Sequence, residues 1–200
     1  QFWVIVDGIG TSVGGYRLRI NGTPAVFETS GDVEFRHRLF IPAGFASTSI
    51  DEFVSIANPG ADAANYRVVL YYQSGEREIF RGDVADGIRT IAAGARAGAQ
   101  LSQRGVGARF NVNPETPYSL VIESDLPLAA NFSRFDFGVT TGEALTANTS
   151  ASWLFPRVER QPGAVSDFIT VFNPNDFALN LTLTAFTQDG QQVVISRTGA

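Results

Sequence analysis

The side chains best placed to do chemistry sit in two neighbouring β-type runs. Glu123 and Asp125 stand two apart at the end of the run Tyr118 to Glu123, and Arg134 and Asp136 stand two apart in the run Leu128 to Phe137. Positions i and i+2 of an extended chain share a face. Pairing of these runs would therefore set one arginine among three carboxylates. Such a cluster can hydrogen-bond sugar hydroxyls or hold a calcium ion weakly through oxygen ligands. The same spacing also suits a solvated salt-bridge ladder, worth well under about 1 kcal/mol per pair. Catalytic combinations are sparse. His37 is the single histidine and there is no cysteine, so thiol catalysis is excluded and a zinc site would need carboxylates for its other ligands. His37 lies in the alternating run Glu34-Phe35-Arg36-His37-Arg38-Leu39, where it is expected to face solvent with the arginines. No nucleophile-elbow motif occurs. The glycines of Asp7 to Gly15 lack the spacing, the lysine and the following helix of a phosphate loop. Arg81-Gly82-Asp83 matches a cell-adhesion tripeptide of a length that recurs by chance, and the Asn-x-Ser/Thr sequons at Asn21, Asn131, Asn148 and Asn180 are weak signals in so Asn-, Ser- and Thr-rich a chain. The expectation is a protein that is not an enzyme and has no cofactor and no metal site.

Composition bounds what must position these residues. The chain has 200 residues, 44% hydrophobic and 18% charged, with 16 Phe and a mean hydropathy of +0.03. A chain of this size buries about 70% of its unfolded surface and needs no disulfide or metal to fold. It suits one large domain or two small ones. No apolar run approaches the roughly 20 residues of a transmembrane segment. A net charge of -5 argues against nucleic acid as a partner. All 15 basic residues are arginine, which coding bias explains. With no methionine and Gln1 at its start, the chain reads as processed or excised, with any signal peptide already removed.

The hydrophobic period is two. Phe2-Trp3-Val4-Ile5-Val6 ends at Asp7-Gly8; Tyr16 to Ile20 ends at Asn21-Gly22; Tyr66 to Tyr72 ends at Gln73-Ser74-Gly75; Leu179 to Phe186 ends at Asp189-Gly190. Further strand-like runs are Phe53 to Ala57 and Phe168 to Phe172. The turn rhythm is that of an antiparallel sandwich. Ala92 to Leu101 holds Gly94 and Gly98 and reads as a loop or a small-residue strand. Residues Phe53 to Gly75 repeat at Phe168 to Gly190, with seven of the 23 pairs identical, including both Asn-Pro steps. Each Asn is expected to cap its own turn while the proline ends the ladder. Phe40-Ile41-Pro42 resembles Leu154-Phe155-Pro156, and Val4 to Asp7 echoes Leu120 to Glu123, with Tyr16 then opposite Phe132. The unit is thus about 115 residues long. Phe53, Ile56, Phe168 and Val171 are expected in the core.

The segment Pro114-Glu115-Thr116-Pro117-Tyr118-Ser119-Leu120-Val121-Ile122-Glu123-Ser124-Asp125-Leu126-Pro127-Leu128, continued in Phe132 to Asp136 and Glu143-Ala144-Leu145, resembles the soluble sensory-rhodopsin-transducer family and a wider set of bacterial surface modules. The resemblance covers about Phe40 to Trp153. It implies a β-sandwich of seven or eight strands, no catalytic machinery and a tendency to oligomerise. In the wider set it implies carbohydrate binding in secreted or surface proteins.

The sequence therefore predicts an all-β protein of two related antiparallel sandwich units. Residues 40–152 form a complete unit. Residues 1–39 supply closing strands and 153–200 opening strands of a second, predicted to pair with each other. The expected role is a non-enzymatic bacterial interaction or assembly module at the cell surface or in an extracellular filament, with protein partners that include copies of itself. Carbohydrate binding is the alternative, with Trp3, Trp153, Tyr71, Tyr72 and Tyr118 as stacking candidates. A soluble signalling transducer, which would be cytoplasmic, is the second. Phe2-Trp3-Val4-Ile5-Val6 is the candidate assembly strand, added either to its own chain or to a neighbour's sheet.

Overall fold

The computed structural model describes residues 2–5, 14–21, 29–30, 33–45, 47, 49–81, 84–101, 112–113, 115–136, 139–158, 168–175, 177–186 and 189–198. Among them the chain is all β, with no helix. The strands are β1 (Phe2–Ile5), β2 (Gly14–Asn21), β3 (Thr29–Ser30), β4 (Val33–Glu34), β5 (His37–Gly44), β6 (Ile50–Ala57), β7 (Ala64–Tyr72), β8 (Arg77–Ile79) and β9 (Arg89–Ile91). They continue as β10 (Arg96–Gln100), β11 (Tyr118–Ser124), β12 (Ala129–Asp136), β13 (Val139–Ala144), β14 (Ser152–Val158), β15 (Phe168–Val171), β16 (Asn180–Phe186) and β17 (Gln192–Thr198). The small-residue stretch after Ala92 is a strand, β10, because its alanines and glycine pack on β6 with no need of helix propensity.

Turn chemistry ends these strands where the sequence places it. After β6, Asn58 Oδ1 accepts from Gly60 N (2.9 Å), and its Nδ2 donates to the carbonyls of Asp62 (2.8 Å) and Ile91 (3.1 Å). After β15, Asn173 Oδ1 accepts from Asn175 N (3.1 Å) and its Nδ2 donates to the Phe177 carbonyl (2.8 Å). Both Asn-Pro steps are thus side-chain-capped turns of one design. The hairpins that follow each carry a left-handed glycine, Gly75 (φ 89°) and Gly190 (φ 82°), a conformation that costs other L-residues energy.

The strands group into two compact units, Phe27–Asn148 and the combination of Phe2–Val26 with Thr149–Ala200. The bounds fall at 26/27 and 148/149, earlier than the 39/40 and 152/153 read from the repeat. In the first unit, one sheet runs β5-β11-β7-β8, with β9 also on β7, and the other runs β10-β6-β12-β13; every pairing is antiparallel. The core draws on both sheets. Leu39, Ile41, Val68, Leu70, Leu120 and Ile122 come from the first, and Val54, Ile56 and Phe132 from the second. The reverse face of the first sheet is buried as well, through Phe40, Val69 and Val121. That double burial accounts for the nearly unbroken apolar run Leu120-Val121-Ile122.

In the second unit a sheet runs β14-β2-β16-β17, and β1 pairs with β15. Leu18 stands opposite Leu183, as Ile122 stands opposite Val68 in the first unit. Trp3 stands opposite Thr170, as Gly98 stands opposite Ser55. So β2 holds the place of β11 and β1 that of β10, which corrects the alignment of Val4 to Asp7 with Leu120 to Glu123. Short Val/Ile/Leu runs look alike in sequence, and only pairing tells them apart. A second correction is one of parity. On β6 the inward residues are Glu52, Val54 and Ile56, whereas Phe53 is half-buried on the outer face, edge-on to Phe135 (centroids 5.4 Å, 87°). Residues three apart on a strand cannot share a face, so Phe53 and Ile56 were incompatible as joint core positions. Val171 is buried together with Ile169; the Phe168 side chain lies outside the described residues.

Candidate functional site

The four residues that the sequence nominated as a cluster do not come together. β11 lies between β5 and β7, and β12 between β6 and β13, in different sheets. Each residue instead meets its own partners. Glu123, fully buried, sits between two arginines from the flanking strands. Arg67 donates from Nε to Glu123 Oε2 (2.6 Å), and its Nη2 lies 2.6 Å from the same oxygen as an ion pair. Arg38 Nη2 lies 2.9 Å from Oε1, an ion pair whose angle falls short of a hydrogen bond. Phe35 caps the Arg67 guanidinium, 4.6 Å from ring centroid to Cζ. Of the residues expected to face solvent around His37, Arg36 does so, whereas Arg38 is buried and His37 half-buried. Asp125, just past β11, accepts from Asn65 N and Nδ2, each at 2.8 Å, and Thr90 Oγ1 donates to Asn65 Oδ1 (2.9 Å). Asp136 stands opposite Ile50 in the ladder; its side chain lies outside the described residues.

Arg134 belongs to a constellation that the sequence reading missed. It donates from Nε to Glu52 Oε1 (2.7 Å), and its Nη2 lies 2.7 Å from the same oxygen. Phe45 N donates to both Glu52 oxygens (2.9 and 3.1 Å). The Tyr118 hydroxyl donates a short bond to Oε2. A fully buried carboxylate that accepts from three donors and pairs with an arginine is a satisfied structural anchor. The signal for it was present: Glu52 keeps parity with Val54 and Ile56. Tyr118 is held well above the ordinary tyrosine range, chiefly by burial and then by the Glu52 charge. Tyr72 is likewise raised by burial; its hydroxyl donates to Glu78 Oε2 (3.0 Å) and accepts from Asn113 N (3.1 Å). Gly44 lets the Tyr118 ring lie against the backbone, since a β-carbon there would fall inside the ring's van der Waals envelope. Among the described residues, no group of three or more His, Asp or Glu could hold a metal ion. Among the same residues, no helix is long and apolar enough to cross a membrane.

With these carboxylates engaged internally, the distinctive outward features are apolar. Of the stacking candidates, Tyr72 and Tyr118 are core and Tyr71 is half-buried, while Trp153 is exposed; the Trp3 side chain lies outside the described residues. On the second unit's sheet, the two outermost strands both carry exposed apolar side chains. β14 presents Trp153 (38%) and Leu154 (65%), and β17 presents Val193 (49%) and Val194 (60%). The candidate assembly strand β1 pairs through Phe2 to Ile5 with β15 of its own chain; Val6 lies outside the described residues, as do Gly82 and Asp83 of the Arg-Gly-Asp tripeptide.

No family model matches the chain, and no curated protein matches it. Among solved structures it is similar to the protein designated 1070 of Thermotoga maritima, at 18% identity with a TM-score of 0.45, over 56% of this chain and 94% of that one. It is also similar to the Anabaena sensory rhodopsin transducer, at 18% identity with a TM-score of 0.35, over 48% of this chain and 93% of that one. The second bears the name of the family that the segment from Pro114 to Leu128 resembles.

Proposed function

We propose that this is a non-enzymatic bacterial assembly module that joins copies of itself edge to edge, at the cell surface or in an extracellular filament. The carrying observation is the pair of apolar outer strands on one sheet. Strand direction supports it. β14 is antiparallel to β2, β2 to β16 and β16 to β17, so β14 and β17 run in opposite directions. A neighbour related by translation would therefore set its β14 antiparallel to this chain's β17 and continue the ladder. Such a head-to-tail contact does not close on itself and builds a filament. Pro156 lacks an N–H and restricts the free ladder of β14 to Ser152 to Phe155. Sedimentation velocity over a range of protein concentrations tests this. Wild-type protein should associate as concentration rises, and Val194→Lys, which places a charge on the edge, should remain monomeric. Monomeric wild-type protein throughout would refute the reading.

Carbohydrate binding is a second reading, favoured by the outer face of the β10-β6-β12-β13 sheet. There Phe135 is 44% exposed beside Phe53, and Asn131 and Ser133 share its face. A glycan array distinguishes the two: sugar binding lost in Phe135→Ala supports the second reading, and silence from the array removes it.

A further inference from the structure

Among the described residues, β10 ends one sheet of the first unit and β9 lies on the outer side of β7 in the other. Between them is a cavity of about 170 Å3, walled by Val54 and Ile56 of β6, Ala97 and Ala99 of β10, Tyr66 of β7 and Arg89 of β9. Its origin is in the sequence. Packed sheets stand roughly 10 Å apart, and side chains from both must fill the gap. β10 offers only methyl groups at its inward positions, Ala97 and Ala99, opposite Ile56 and Val54. The space those residues leave unfilled is the cavity.

Tyr66 gives the cavity a polar point. It is only 5% exposed and lines the cavity. Arg89 is held beside it, donating to the carbonyls of Phe80 (3.0 Å), Gly87 (3.3 Å) and Arg81 (2.6 Å). Its fixed positive charge favours an electron-rich oxygen at the tyrosine hydroxyl. The other walls are aliphatic.

We propose that this cavity is a binding site for a small neutral molecule with a compact apolar body and one oxygen, the oxygen accepting the Tyr66 hydroxyl's hydrogen bond. The size fits: an apolar cavity of about 150 Å3 accommodates a benzene ring. A monosaccharide does not suit it. Tyr66 and Arg89 are its polar side chains, and several sugar hydroxyls would be stripped of water without replacement partners. This site is separate from the outer strands of the second unit and does not depend on their role.

Phenol and toluene are matched probes, equal in shape and differing in the oxygen. In an amide NMR titration of the full chain, phenol should shift the signals of Val54, Ile56 and Ala97 to Ala99 saturably. Tyr66→Phe should weaken phenol binding roughly two- to tenfold, the range of one neutral hydrogen bond, and leave toluene binding unchanged. Ala97→Leu, which fills the cavity, should abolish both; Ala99→Val serves the same purpose should the larger side chain prevent folding. The proposal is overturned by the absence of saturable shifts at those residues. It is equally overturned by phenol binding that is indifferent to Tyr66→Phe, or that survives the filling variants.

Discussion

Glu123 shows how the carboxylates of this protein are used. Two buried arginines neutralise it from either side, and removal of one member of a buried ionic group leaves charge without compensation. Glu123→Gln should therefore cost about 3–5 kcal/mol of stability, measured by denaturant unfolding. The tyrosines make a second residue-level prediction. Burial raises Tyr118, Tyr72 and Tyr66 above the ordinary value of 10, with the Glu52 charge adding to the effect on Tyr118 and Arg89 opposing it on Tyr66. In the unfolded chain the same groups ionise near pH 10. Above that pH the folded state holds protons that the unfolded state has lost. The stability they contribute is complete below about pH 10 and is lost as pH rises beyond it. In a spectrophotometric titration, these three of the five tyrosines should stay un-ionised until the protein unfolds. Full reversible ionisation at pH 10 with the fold intact would contradict the burial. The Asn caps at Asn58 and Asn173 were legible from the Asn-Pro steps alone, because an Asx turn is a local interaction. The arginine partners of Glu123 and Glu52 were not. They come from residues 56 and 82 positions away in sequence, and adjacency of that kind is decided by sheet order.

At the scale of elements, period-two alternation located the long strands within a residue or two, as with β11 and β16. The short strands β3, β4, β8 and β9 have too few residues to show a period. Parity within a strand is also readable, but only if one residue is anchored to the core. On β6 Phe53 and Ile56 have opposite parity, and it is Ile56, with Val54 and Glu52, that faces the core. The structure makes the difference measurable. Val54→Ala should cost about 2–4 kcal/mol as a cavity-forming change in the core, whereas Phe53→Ala on the outer face should cost clearly less. Equal losses would return Phe53 to the core. Gly44 supplies a contrasting test at the β5–β11 junction, where the ladder register shifts between Tyr118 and Leu120. A methyl group added there meets the buried Tyr118 ring. Gly44→Ala should lower stability by about 1–3 kcal/mol through overpacking.

For the whole molecule, the internal similarity of Phe53 to Gly75 and Phe168 to Gly190 located one pair of matching segments. It did not reveal which N-terminal strand would pair with which, since β1 and β2 are both short apolar runs. The observed sheet orders give the second unit two apolar outer strands of opposite direction, and the proposed assembly rests on them. The chain has no cysteine, so two introduced thiols report on this arrangement without background. β14 and β17 are separated by two strands within one sheet, roughly 14 Å at the usual strand spacing. That exceeds the reach of a disulfide, so any bond between them must join two molecules. The decisive measurement mixes Leu154→Cys protein with Val194→Cys protein under mild oxidation and identifies the covalent adducts by mass. The account predicts the mixed β14–β17 disulfide as the main product, and a ladder of higher oligomers from a chain carrying both substitutions. Val194→Cys pairs alone, or no adduct at concentrations where the protein is folded, would contradict it.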